Sequence, residues 1–180
     1  MGRMLARGPV WLVGMMGAGK STVGPALARR LGRRFVDTDA EIEREGGAAV
    51  AEIFARDGEP AFRAREREAV ARLCAEPVVA ALGGGALAQP GVADAAARAG
   101  TLVWLRARPE TLLARLGDCA ARPLLAGLAP AARLARLREL LEAREAGYAR
   151  APVVVDTDGA APEDVAERIA ADLAARGVAA

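Results

Sequence analysis

The chain contains no histidine. Imidazole bases, catalytic pairs built on histidine and histidine-ligated zinc are therefore excluded. Aromatic residues make up only 3% of it, which leaves few rings on which to stack single-stranded nucleic acid. The two cysteines, Cys74 and Cys119, form no CxxC pair. They read as one semi-buried thiol and one loop thiol, and they fit a reducing compartment. No apolar run reaches the ~20 residues that a membrane helix needs. Arg3 and Arg7 ahead of the apolar residues 9–19 loosely imitate a secretory leader, but that stretch runs straight into a motif that explains it better. Ala6 stands where a myristoylation pattern starting at Gly2 requires Ser or Thr. Lysine occurs once, at position 20; every other basic side chain is arginine.

The charges nearly balance, at a formal +2. Neither nucleic acid nor a membrane surface is expected as a partner. No apolar heptad or exposed apolar strand asks for a second chain, so a monomer is expected. With no targeting segment read, the cytoplasm is the expected location. A length of 180 residues suits one domain with a sizeable core. Abundant alanine favours helix.

Short apolar runs alternate with helical spacing along the chain. Strands are expected at 10–13, 35–36, 78–82, 102–105 and 153–155, and helices at 21–31, 48–56, 60–76, 110–116, 131–148 and 162–175. A short helix is expected between 85 and 102, a helix break at Asp57-Gly58, a loop across 117–130, and frayed residues at 176–180. The alternation predicts an α/β fold: a parallel five-stranded sheet covered on both faces. Ligands on such sheets bind beyond the carboxyl ends of the strands. Three predicted strands end in distinctive residues: Gly14 onward, Asp37–Asp39, and Gly83–Gly85.

Residues 14–21, Gly-Met-Met-Gly-Ala-Gly-Lys-Ser, match the pattern G-x-x-x-x-G-K-[ST] between a strand and a helix. Glycines let successive N–H groups turn toward phosphate oxygens, and the helix adds its positive end. Lys20 reaches the β- and γ-phosphates, and the Ser21 hydroxyl suits Mg²⁺, which prefers oxygen. Read by itself, the segment is also compatible with a glycine-rich turn that binds nothing. Pro25 conflicts with the helix after this loop, because it lacks the N–H that would bond Ser21 and crowds that carbonyl. A kink or widened turn is expected at 21–25.

The ordered set of motifs resembles shikimate kinase over roughly residues 9–158. It comprises the loop GMMGAGKSTVG, then Phe35-Val36-Asp37-Thr38-Asp39 with Glu41-Ile42-Glu43, then residues 53–59, Phe62-Arg63 with Glu66, Gly83-Gly84-Gly85-Ala86, Arg122-Pro123-Leu124-Leu125, and Arg144 ahead of Tyr148. The resemblance implies a P-loop fold like that of nucleoside monophosphate kinases, arranged as a three-layer sandwich with a mobile lid across about 117–131. It implies substrate-binding helices across about 40–76. It also implies Mg²⁺-dependent transfer of the γ-phosphate of ATP to the 3-hydroxyl of shikimate, on the route to chorismate and aromatic amino acids. Gly17, Ala18, Gly19, Lys20, Ser21, Thr22 and Arg122 would then hold ATP, with Ser21 and Asp37 at the metal. Asp39, Arg63, Gly83, Gly84, Gly85 and Arg144 would meet shikimate. Lys20, Asp39 and Arg122 would carry the chemistry, with Asp39 as candidate base.

The same residues have plainer readings. Asp37 and Asp39 could cap a helix over 40–45. Arg63 lies in an Arg-Glu run that usually marks a solvated face, and Arg144 lies on a Glu-rich helix. Gly83–Gly85 could be a turn. Residues 156–161 lack the basic residue that the family often has beside adenine, and Arg115 is a further lid cation by position. The rivals are gluconate kinase, a nucleoside monophosphate kinase, and a degenerate kinase fold that binds nucleotide and regulates. The intact Lys20, Ser21, Asp37, Asp39, Arg63 and Arg144 argue against the last.

Overall fold

The computed structural model describes residues 8–119, 122 and 124–178. Gly2, Arg3, Ala6 and Arg7, on which the leader and lipidation readings turn, lie outside the described residues. So do Pro123 of the Arg122 motif and the last two of the terminal residues expected to fray.

Five strands form one parallel sheet: β1 (Val10–Val13), β2 (Phe35–Asp37), β3 (Val79–Ala81), β4 (Thr101–Arg106) and β5 (Val153–Asp156), in the order β2-β3-β1-β4-β5. The sheet is the middle layer of a three-layer α/β sandwich. In the three inner strands every residue but Arg106 is buried, whereas the edge strands β2 and β5 alternate. Strands covered on both faces need apolar residues throughout, and edge strands do not. Register aligns Leu12 with Ala81 and Val13 with Trp104, so β3 ends one residue short of β1 and β4 runs two residues beyond it.

The helices are α1 (Lys20–Leu31), α2 (Thr38–Gly46), α3 (Val50–Leu73), α4 (Val92–Ala99), α5 (Pro109–Leu116), α6 (Pro130–Tyr148) and α7 (Pro162–Ala175), with a 3₁₀ turn at Ala86–Ala88. Gly32 ends α1 in the left-handed conformation, with its N–H on the Arg29 carbonyl. Pro25 lies inside α1, which remains one uninterrupted α-helix. The widened turn expected there is not formed; the cost of the proline falls on the Ser21 carbonyl, which lacks its usual donor. The break expected at Asp57-Gly58 is a kink within α3: Gly58 has φ 81° and ψ 165° while helix continues on both sides.

Two apolar clusters result. The larger joins the sheet to α1, the end of α3, α4, α5, α6 and α7 and includes Trp11, Leu27, Leu73, Val103, Leu137 and Ile169. A smaller one, Ile42, Ile53 and Phe62, lies between α2 and α3 beyond the end of the sheet. Among the described residues no helix is long and apolar enough to cross a membrane.

Candidate active site

β1 ends at Val13 and the chain turns over residues 14–19 into α1. Gly17 and Gly19 have φ of 81° and 97°, which residues with a Cβ rarely adopt. Gly19 occupies the N-cap position without a side-chain cap, and the first turn of α1 carries no acidic residue. The positive end of the helix is thus open to an anion. The Lys20 ammonium donates to the carbonyls of Gly14 at 2.7 Å and Met15 at 3.1 Å. Burial lowers its pKa to about 8, against the pull of Asp39 and Asp37. The Ser21 hydroxyl donates to Asp37 Oδ2 at 2.6 Å. Among the described residues no cluster of three or more acidic or cysteine side chains could cage a metal ion. The hydroxyl and carboxylate beside the phosphate loop are two hard oxygen ligands, the sparse protein set that suits Mg²⁺ completed by phosphates and water.

β2 delivers Asp37, and the two plainer readings of the aspartates separate here. Asp37 caps α2, accepting from the N–H groups of Asp39 and Ala40. Asp39 caps nothing. Its Oδ1 is buried with no hydrogen-bond partner, and burial together with Asp37 raises its pKa. Thr38, fully buried between them, donates to the Ala81 carbonyl and accepts from the Gly83 N–H, which ties the start of α2 to the end of β3.

Beyond β3 each glycine of the triplet faces a different charged side chain. A Cβ on Gly83 would lie 2.2 Å from Glu66 Oε1 and 2.8 Å from Asp39 Oδ1; on Gly84, 3.1 Å from Arg144 Nη1; on Gly85, 2.8 Å from Arg63 Nη2. The triplet is therefore more than a turn: it leaves room for the polar groups gathered around it. Arg63 is not on a solvated face. Its side chain is 18% exposed, bonded to Glu66 and Glu59, and its guanidinium lies near the rings of Phe54 and Phe62. Arg144 is 9% exposed and contacts Met15 Sδ. One turn on, the buried Tyr148 donates to the Gly84 carbonyl and also touches Met15.

Two cavities share this end of the sheet. One, of about 420 Å³, runs along residues 16–23 to Arg115, Leu116, Thr157, Ala160, Pro162 and Val165. The other, of about 90 Å³, lies among Val50, Phe54, Phe62, Arg63, Gly84, Gly85, Leu124 and Arg144. Met16 and Arg122 line both. Arg122 is exposed, while Arg115 is not a free lid cation: it donates to Thr157 Oγ1 at 3.0 Å and to the Gly17 carbonyl at 3.3 Å. Thr157 and Arg115 thus join the segment that lacks a basic residue to the phosphate loop.

Of the site residues read from the sequence, Gly17, Ala18, Gly19, Lys20, Ser21 and Thr22 line the larger cavity, Arg63, Gly84, Gly85 and Arg144 the smaller, and Arg122 both; Asp37, Asp39 and Gly83 line neither, Asp37 being held to Ser21 and Gly83 to Thr38. Glu66, buried at 1% exposure beneath Arg63, was quoted only as part of a motif and given no role. Its spacing of three residues from Arg63 was the available signal. Tyr148, four residues after Arg144, carried a similar signal. Gln89 and Thr157 carried none, because only the fold brings them near.

The sequence model of the family described as shikimate kinase matches residues 16–174. A shikimate kinase of Symbiobacterium thermophilum is 48% identical over 170 residues, covering 92% of this chain and 96% of that protein. The structure of shikimate kinase from Acinetobacter baumannii in complex with shikimate superposes with a TM-score of 0.89 at 36% identity, covering 96% of each chain. A gluconokinase from Sinorhizobium meliloti matches with a TM-score of 0.60 at 23% identity over 94% of this chain and 93% of that one, a likeness of fold alone.

Proposed function

Because the chain belongs to the shikimate kinase family, we propose that it transfers the γ-phosphoryl group of ATP to the 3-hydroxyl of shikimate, giving shikimate 3-phosphate and ADP. The observation that carries this reading is the meeting of two unlike cavities at Met16 and Arg122. One is walled by a phosphate-binding loop and the other by two arginines, Arg63 and Arg144, and a glycine triplet.

In this assignment ATP lies in the larger cavity. Its phosphates meet the N–H groups of Gly17, Ala18, Gly19, Ser21 and Thr22, and the Lys20 ammonium exchanges its loop carbonyls for phosphate oxygens. Ser21 and Asp37 would hold Mg²⁺, which supplies charge neutralisation at the phosphates when bound. The acid lies in the smaller cavity. Arg63 and Arg144 receive its carboxylate, since guanidinium forks match that planar group. Asp39 Oδ1, buried without a partner, accepts from a substrate hydroxyl. The hydroxyl oxygen bonds to the γ-phosphorus, the bond from that phosphorus to the β–γ bridging oxygen breaks, and the hydroxyl proton passes to Asp39 as ADP leaves. Arg122 meets the developing charge from between the two cavities. Residues 117–131 act as a lid that closes over the phosphates and excludes water. The whole chain works as one kinase domain, a monomer in the ATP-supplied cytoplasm.

The test is ADP release from Mg·ATP by the purified protein with shikimate, with gluconate and with neither. Strong stimulation by shikimate alone is expected. ATP binding with no stimulation by either acid would retain the fold and discard the substrate.

A further inference from the structure

Glu66 Oε2 accepts from two donors, Arg63 Nη1 at 2.6 Å and Gln89 Nε2 at 2.8 Å. Glu66 and Gln89 are 1% and 9% exposed. On its other side the Gln89 amide oxygen accepts from Nη1 of the exposed Arg67 at 2.9 Å. A guanidinium has donors and no acceptor. Arg67 therefore requires the oxygen of the Gln89 amide to face it, which turns the amide NH₂ toward Glu66. A surface charge thus fixes the orientation of a buried amide.

We infer that Gln89, held by Arg67, is a positioning residue for the acid-binding site: it keeps Glu66 an acceptor, and Glu66 in turn holds Arg63 at the angle at which it meets the substrate carboxylate. This rests on the placement of the acid at Arg63 and Arg144 proposed above. Glu66 needs such help. It is buried, and burial raises its pKa. The charged groups acting on it are Arg63 from its own helix, Asp39 from α2, which opposes its ionisation, and Arg144 from α6, which favours it. From the loop after the 3₁₀ turn, Gln89 adds a neutral donor that bonds the ionised form. Without that donor Glu66 takes up a proton more readily, and Arg63 loses its ionic partner.

The test measures kcat and the KM values for shikimate and for ATP in the full chain and in Gln89→Leu, Gln89→Glu and Arg67→Ala, from weakly acidic to weakly alkaline pH, with a thermal melt of each variant. Gln89→Leu is expected to raise the shikimate KM about tenfold at neutral pH, the usual effect of removing a hydrogen bond to a buried charge, while ATP's KM stays within about twofold. Gln89→Glu sets a carboxyl against Glu66. Protonated, it donates as the amide did; ionised, it repels. Its shikimate KM should therefore rise with pH, the reverse of the parent, in which KM rises on the acid side as Glu66 takes up a proton. Arg67→Ala alters an exposed side chain and frees the amide to turn over, so a smaller rise in the shikimate KM is expected. Equal rises in both KM values in Gln89→Leu, or a Gln89→Glu pH slope of the parent's sign, would overturn the inference. If Gln89→Leu does not fold, an unchanged shikimate KM in Arg67→Ala overturns it. A parent that fails to turn over shikimate removes the proposed function itself; a parent that does, with unselective variants, removes only the role of Gln89.

Discussion

Lys20 stands with its ammonium on the carbonyls of Gly14 and Met15, a resting place that a γ-phosphate would compete for. Replacing it by alanine removes the one cation that the loop itself supplies and leaves Arg122, across the cavity, to meet the charge that develops on transfer. Lys20→Ala is expected to lower kcat by at least about 10²–10³-fold with the melting temperature retained; near-normal kcat in an ADP-release assay would sink the assignment. At this scale the sequence was informative where chemistry is local. The loop, the aspartates and the arginines could be quoted because residue type and spacing carry their meaning. What escaped was the set of supports. Gln89 and Thr157 have no local pattern, since their partners are 22 and 42 residues away along the chain. As helix caps Asp37 and Asp39 read alike in the sequence; α2 begins at Thr38, one residue after Asp37, which makes the first the cap and leaves the second free.

At the scale of elements, every strand and helix of the sandwich was expected within a few residues of where it lies. α2, read as a helix over 40–45 only in the plainer account of the two aspartates, starts two residues earlier, at Thr38. The helix runs through Pro25 without the widened turn expected there, and α1 is fastened along its length: Val23, Gly24, Ala26, Leu27 and Ala28 are all buried. Packing overrode the local preference, and the strain remains as a missing bond to the Ser21 carbonyl. Pro25→Ala should restore that donor and stabilise the protein by about 2 kcal/mol, the lost bond and clash less the entropy that proline removes from the unfolded chain. A melting temperature that fell instead would show that the Ser21 carbonyl is satisfied without that donor. The kink in α3 has a different origin. Gly58 lies in a region of φ and ψ that is essentially closed to other residues, and the Asp57-Gly58 pair had marked it in advance.

Over the whole molecule, α2 and the first part of α3 share a small cluster of three buried apolar residues, whereas the end of α3, through Val70 and Leu73, and α6, which carries Arg144, belong to the main core with the nucleotide side. Damage to the small cluster should therefore act selectively. Ile53→Ala removes a fully buried side chain, a change that costs about 2–5 kcal/mol in a core. Hydrogen exchange is expected to quicken across residues 38–62 and shikimate affinity to fall, while the strands and the end of α3, held in the main core by Val70 and Leu73, stay protected and ATP still binds. Uniform loss of protection would mean that the two parts unfold as one. That α2 and the first part of α3 share a small cluster of their own was not legible in the sequence, because Ile42, Ile53 and Phe62 come together only across the kinked helix. A chain whose only lysine is Lys20, with a pKa near 8, offers amine-directed acylating reagents one ε-amine beyond its α-amine. Such a reagent becomes a footprint of the phosphate site, attaching a dye or a crosslinker at a defined position and yielding to protection by ATP.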